Sequence, residues 1–376
     1  MDVKVDGYTF QIQRKGGISR IFTEILPRMC DMDPALEITL FTSGRCQQKI
    51  PVHSGIRHRP LFPIDDILRP RRFWGPFPPK LHSLVQWPSL GNSVGAIWHS
   101  SYYTRPISWQ GAIVVTVYDM IYERFADFFT SAYDERFRQQ KKQCILAADK
   151  VICISEATLE DVMFYYDIDK RKLEVIPLAH NPVFRPLKTS DSSQCQVSDK
   201  PYLLYIGDRN GYKNFRTLLQ SYNVWTRRSE FNLVVVGVSW NDRERILLAE
   251  FGCGPQVRLL TNIDDVQLAQ LYNQAQAFIC PSLYEGFGIP LLEAMASGCP
   301  VVASRIPSTL EVAGEYPFYF DPQNGAELLA SLESALAEGR QSSRIKSAIK
   351  HTQRYNWDKT ARRTLQVYCS LTTNLQ

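Results

Sequence analysis

The stretch Tyr284–Ala294, "YEGFGIPLLEA", sets two carboxylates eight positions apart, Glu285 and Glu293, around two glycines and a proline. A carboxylate accepts two hydroxyl donors at once, which is how proteins hold the vicinal diols of riboses and hexoses. Gly286 and Gly288 let the backbone approach a ligand closely, and Pro290 suits the first turn of a helix, "PLLEAMASG". Helix starts also attract anions. A blander reading makes Glu285 a helix cap and Glu293 a surface residue. Against it, Glu293 lies between Leu292 and Ala294 in an apolar helix, and a buried carboxylate needs partners. A second segment, "DRNGYKN", follows the apolar run "LLYIG" and its Gly207, and carries Asp208, Arg209, Lys213 and Asn214. Arg can grip phosphate oxygens through two parallel hydrogen bonds, while Lys acts as a point charge. The alternative there is a solvated loop ahead of an ordinary helix.

These residues need elements to hold them. Short Val/Ile/Leu-rich runs recur at 35–43, 111–119, 149–156 and 173–179, then in "PYLLYIGD", "FNLVVVGVS", "PQVRLLTNI", "QAFICPS" and "CPVVASR". Segments of helical spacing such as "DDVQLAQLYNQA" separate them. Continuous apolar runs are strands buried on both faces, and their alternation with helices implies parallel sheets with right-handed crossovers. The fold class is α/β. The polar, Ser-rich stretch 187–199 reads as a linker between an N-terminal domain, 1–186, and a C-terminal domain, 200–356. Two doubly wound domains facing a cleft are expected, with ligands beyond the carboxyl ends of the strands.

Composition narrows the classes. With 44% hydrophobic residues the chain has ample material for a core, and a formal charge of +5 over 376 residues, with Lys and Arg scattered, gives little support to nucleic-acid binding. Nine cysteines without a CxxC pair, several inside apolar runs, favour a reducing compartment. The N-terminus "MDVKVDGYTF" lacks a signal-peptide pattern, and no apolar run reaches the ~18 residues of a spanning helix. A cytoplasmic protein is expected.

Together the motifs resemble the family 4 retaining glycosyltransferases, which have the GT-B fold. The Glu-x7-Glu element, with Gly286, Phe287, Gly288, Pro290, Leu292 and Ala294 in step, carries most of the likeness, and "SGCPVVAS" resembles its usual continuation. "QRKGGISR" (13–20), "DKVICISE", "LEVIPLAHNPVFRP" (173–186) and "YNWDKTA" (355–361) extend it over nearly the whole chain. The resemblance implies that the last helix, from about 357 to 376, completes the N-terminal domain. It implies that Glu285 and the Gly286–Gly288 backbone hold hydroxyls of a donor sugar, and Glu293 its ribose. Arg209 and Lys213 would stabilise the departing diphosphate, and Gly17 would close against it. Gly207, Phe287, Leu291 and Leu292 count among the donor-binding positions, and Thr261–Ile263 would meet the base. Many members carry Arg directly after the glycine, where this chain has Asp208, and His-Asp where it has Tyr118-Asp119. Tyr118, Asp119 and His99, at the end of an apparent strand, are then the candidate sugar or acceptor contacts.

"DMD" (31–33) and "DID" (167–169) match a metal-binding Asp-x-Asp, but neither follows a strand, and no metal or other cofactor is expected. "LRPRRFWGPFPPK" (68–80) mixes arginines with aromatics and suggests a peripheral membrane contact on the inner face, or a grip on a lipid-diphosphate acceptor. The expected reaction moves a hexose from a nucleoside-diphosphate sugar, UDP-glucose first and GDP-mannose second, to a saccharide or lipid-linked acceptor. The alternatives are a UDP-sugar epimerase and a catalytically silent nucleotide-sugar-binding protein.

Overall fold

The computed structural model describes residues 1–12, 17–43, 46–61, 93–106, 108–187 and 197–372. The segment 68–80 lies outside these residues, as does most of the linker stretch. The chain divides into two compact units, Met1–Leu178 with Asn356–Gln376, and Ala179–Tyr355. It therefore leaves the first unit at 178, eight residues before the boundary read from composition. The Ser-rich stretch marked a change in polarity, whereas the change of unit follows the apolar segment ending at Leu178.

The first unit is built on a parallel sheet of β1 (Asp2–Asp6), β2 (Glu37–Ser43), β3 (Ile56–Leu61), β4 (Ile97–Ser100), β5 (Ala112–Val117), β6 (Lys150–Cys153) and β7 (Leu173–Val175), in the order β3-β2-β1-β4-β5-β6-β7. β1 sits at the point where strand order reverses, although "DVKVD" alternates polar and apolar residues. Its Lys4, 5% exposed, reaches Asp2 at 3.6 Å and lies over the Trp109 ring at 5.4 Å. Those contacts let a charged residue occupy a central strand. The helix Trp357–Thr372 packs on the helix Gly17–Met32 of the same unit, and Thr360 donates to the Pro177 carbonyl at 2.8 Å.

The second unit repeats the plan with β8 (Tyr202–Ile206), β9 (Asn232–Val236), β10 (Val257–Leu260), β11 (Ala277–Cys280), β12 (Val301–Ser304) and β13 (Phe318–Phe320), ordered β10-β9-β8-β11-β12-β13 and parallel. Alternate residues of β8 enter opposite cores: Leu203 and Tyr205 pack with Leu218, Leu219 and Val235, while Tyr202 and Leu204 pack with Tyr272, Phe278 and Leu291. A strand buried on both faces must be apolar throughout, which is the pattern in its sequence. The reversal falls between β8 and β11, and open parallel sheets take ligands beyond the carboxyl ends of strands at such a point. No helix among the described residues is long and apolar enough to cross a membrane.

Candidate functional site

Two loops follow the neighbouring strands β8 and β11 of the second unit. After β8 the chain runs through Gly207, the exposed Asp208 and Arg209 into a short turn Gly211–Lys213. Asn214 then takes a left-handed conformation, φ 55°, before the helix Phe215–Val224 begins. Its amide donates to the carbonyls of Pro281 at 3.0 Å and Pro322 at 2.8 Å, fastening this loop to the ends of β11 and β13. Asn is one of the few side-chain-bearing residues that adopts αL readily. That was the signal available in the sequence for this anchoring role.

So fastened, the loop delivers Lys213 to the loop after β11. Its ammonium meets both oxygens of Glu285, at 2.7 and 2.9 Å, and Ser282 donates to the same carboxylate at 2.7 Å. Burial is the largest single influence on the Lys213 pKa and pushes it down, but the charge and hydrogen bond of Glu285, together with Tyr212 and Cys280, hold it above the usual lysine value. The lysine is a fixed cation between the loops after β8 and β11, 22% exposed. Gly286 follows, and the Phe287 ring, 3% exposed, turns edge-on to Tyr355 at 5.8 Å.

Gly288, at φ 96°, is the N-cap of the helix Ile289–Ala296. A Cβ there would lie 2.8 Å from Leu291 Cδ1, so the turn into the helix demands glycine. Leu291 and Leu292 are fully buried, backbone included, so neither presents a surface to a ligand here. Glu293 is 3% exposed, and the Tyr272 hydroxyl donates to its Oε2 at 3.2 Å. Burial, then the neighbouring Glu293, push the Tyr272 pKa well up, so that phenol keeps its proton. Glu293 is thus a buried carboxylate with a partner, as the apolar helix required. Ile263 follows β10 and is half-buried after Asn262, which is left-handed at φ 59°.

Arg209 is placed differently from the expectation of a free phosphate grip. Its guanidinium is committed to Glu244, with Nε–Oε1 2.8 Å and Nη2–Oε2 3.1 Å, and it stacks on Trp240 at 4.5 Å. The side chain is 1% exposed, and Nη1 is buried without a partner among the described residues. Nη1 lies so close to Gly237 that a Cβ there would come within 2.8 Å of it. Glu244 also closes the capping box of the helix Asp242–Glu250 with Asn241. Sequence reading missed Glu244 and Trp240, because nothing in their spacing links them to a loop more than 30 residues earlier.

In the first unit His99 corrects its expectation. It lies within β4, fully buried, with Nδ1 on the Tyr368 hydroxyl at 2.5 Å and Nε2 on Thr116 Oγ1 at 2.8 Å. Burial pushes its pKa down to about 3. Both ring nitrogens are occupied, so it ties the sheet to the last helix and does not face a ligand. Tyr118 is 5% exposed and donates to the Ser101 carbonyl at 2.9 Å, whereas Asp119 is half-buried and accepts from the Ile121 amide at 3.1 Å. Gly17 is exposed at the start of its helix. Asp31 pairs with His53 and Asp169 with Arg171, and among the described residues no acidic, His or Cys cluster is placed to hold a metal ion.

Family models match both halves of the chain: Glycosyltransferase Family 4 over residues 15–182 and Glycosyl transferases group 1 over residues 189–352. The chain belongs to the family 4 glycosyltransferases. O-antigen chain mannosyltransferase B of Escherichia coli is 28% identical to it over 255 residues, 62% of this chain and 65% of that protein. The match thus spans less than two thirds of that relative's length. Among solved structures, sucrose-phosphate synthase from Thermosynechococcus elongatus superposes with a TM-score of 0.78 at 21% identity, covering 100% of both chains. Anabaena HepE in complex with UDP-glucose gives 0.73 at 15% identity, covering 99% of this chain and 100% of its own. At such identities the likeness establishes the fold, which is GT-B.

Proposed function

We propose that this family member transfers a hexose from a nucleoside-diphosphate sugar to a saccharide or lipid-linked saccharide, retaining configuration and requiring no metal ion. The observation that carries the reading is the Lys213–Glu285 pair between the loops after β8 and β11, beside a helix start that buries Glu293. Lys213 supplies a permanent positive charge where a diphosphate departs, and the helix start adds its dipole. Glu285 accepts sugar hydroxyls alongside Lys213, and Glu293 accepts the ribose diol. Arg209 is the positioning residue of this set. Bound to Glu244, it braces the loops after β8 and β9 while Lys213 meets the phosphate. Neither glutamate need exchange a proton, so attack and departure occur on the same face, with the leaving diphosphate taking the acceptor's proton.

Two supports point to different sugars. The relative named a mannosyltransferase is matched in sequence at 28%, whereas the structure holding UDP-glucose shares 15% and speaks only for the fold. The sequence relation carries more weight, so mannose from GDP-mannose is favoured over the UDP-glucose first expected, in the synthesis of a polysaccharide. A thermal-shift panel of UDP-glucose, GDP-mannose and ADP-glucose tests this. One donor at 100 times its dissociation constant should stabilise the protein by about 2.7 kcal/mol. No shift with any of them would overturn the reading, and a shift with UDP-glucose alone would overturn the choice of sugar.

A further inference from the structure

Phe287 stands between Gly286 and Gly288, so the backbone joining Glu285 to the next helix has a glycine on each side of one side chain. Glycine leaves a backbone its greatest freedom, and a segment between two glycines is held by what its side chain touches. The Phe287 ring, 3% exposed, meets the Tyr355 ring edge-on, with centroids 5.8 Å apart and 83° between the planes. Aromatic pairs favour that arrangement, because the positive edge of one ring faces the negative face of the other.

Tyr355 can hold Phe287 because it is itself held. Arg354 donates to its hydroxyl at 2.8 Å, and the Arg354 guanidinium lies over the Tyr355 ring at 4.9 Å. Both side chains lead to the carboxyl end of the helix Pro307–Ala313, whose last carbonyls lack partners within the helix. Arg354 donates to the Glu311 carbonyl at 3.3 Å, and the Tyr355 hydroxyl reaches the same oxygen at 3.5 Å. His351 Nε2 donates to the Val312 carbonyl at 2.9 Å, and its ring neighbours Tyr355 at 6.0 Å. Cationic and imidazole side chains close helix ends in this way. The same closure sets the half-buried Tyr355 with its ring against the loop after β11.

We infer that Tyr355 is a positioning residue for the donor: through Phe287 it sets the spacing between the Glu285 carboxylate and the helix start at Gly288. The inference rests on the donor reading above and adds to it a residue that touches no substrate. Glu285 is fixed on one side by Lys213 and Ser282, and Gly288 on the other by its helix. Without the ring contact, the two glycines between them turn independently. The loss belongs to donor affinity and spares the maximal rate, since Lys213 keeps its place.

Hydrogen–deuterium exchange of the whole chain without ligand, followed by donor kinetics, tests this. In Tyr355→Leu the segment 284–292, whose Leu291 amide closes on the Gly288 carbonyl at 3.0 Å, should exchange about fivefold faster. The strands β8 and β9 should keep the wild-type rate. Fivefold corresponds to about 1 kcal/mol, the scale of one edge-to-face ring pair. The KM for whichever of GDP-mannose and UDP-glucose the wild type turns over should rise about fivefold, with kcat within about twofold. Tyr355→Phe, which keeps the ring, should match the wild type in both measurements. If circular dichroism shows Tyr355→Leu unfolded, Phe287→Leu removes the other ring of the same contact and is read in its place. Unchanged exchange in 284–292, loosening spread evenly over the second unit, or an unchanged KM in a folded ring-deletion variant would overturn the inference. Local loosening beside a wild type that turns over neither donor would sink the donor reading alone.

Discussion

Lys213 and Glu285 act electrically as one unit, since each lies within 2.9 Å of the other and both are partly withdrawn from water. The pair keeps the lysine charged and the carboxylate oriented before any ligand arrives, which is what preorganised catalysis requires. Glu293 does different work. It is almost fully buried and bonded to Tyr272, so its geometry is fixed by the fold. Glu293→Ala should weaken donor affinity by about 10- to 100-fold, the scale of a hydrogen bond to a charged group, while leaving the maximal rate nearly unchanged. Isothermal titration with the donor checks this, and an unchanged dissociation constant would remove Glu293 from the ribose.

At the scale of elements, the helix Ile289–Ala296 depends on one residue for its start. Gly288→Ala puts a Cβ into a left-handed backbone and against Leu291. It should cost about 1–3 kcal/mol of stability and raise the donor KM more than it lowers kcat, because it moves the helix start. Denaturant melts and initial rates read both effects, and an unchanged melt would contradict the strain. This helix was legible in advance because its signals are local: two glycines, a proline and an apolar run. The strands β8 to β12 were legible for the same reason, whereas the three-residue β13 was not among the runs read as strands. β1 was not, because Lys4 is made tolerable by Trp109, a contact more than 100 residues away in sequence. The Arg209–Glu244–Trp240 assembly escaped notice likewise, since spacing along a chain says nothing about which loop a guanidinium will meet. His99 was misplaced because the apolar neighbours that mark a strand do not say where it ends. The partners that bury it, Tyr368 and Thr116, come from other elements.

At the scale of the whole molecule, the same His99 makes stability depend on pH. Its folded pKa is about 3 against an ordinary 6.5, so below 6.5 the unfolded chain binds a proton that the folded chain refuses. Its contribution is complete above pH 6.5 and falls as pH drops towards 3, by about 1.4 kcal/mol per unit. Burial lowers the pKa of His180 and His351 as well, which adds slope of the same sign. His99→Gln, able to hydrogen-bond without titrating, should lose less stability than the wild type between pH 7 and pH 5 in urea melts. Equal losses would contradict the assignment. The two units carry one parallel-sheet plan twice, and the second places its fixed cation at its own strand reversal. That cation is the centre of the account. The most direct measurement is the rate at which Lys213→Ala releases nucleoside diphosphate from saturating donor, with EDTA present throughout. The wild type should stay active in EDTA and the variant should fall by roughly two to three orders of magnitude. A variant that turns over near the wild-type rate, or a wild type silenced by EDTA, would contradict it.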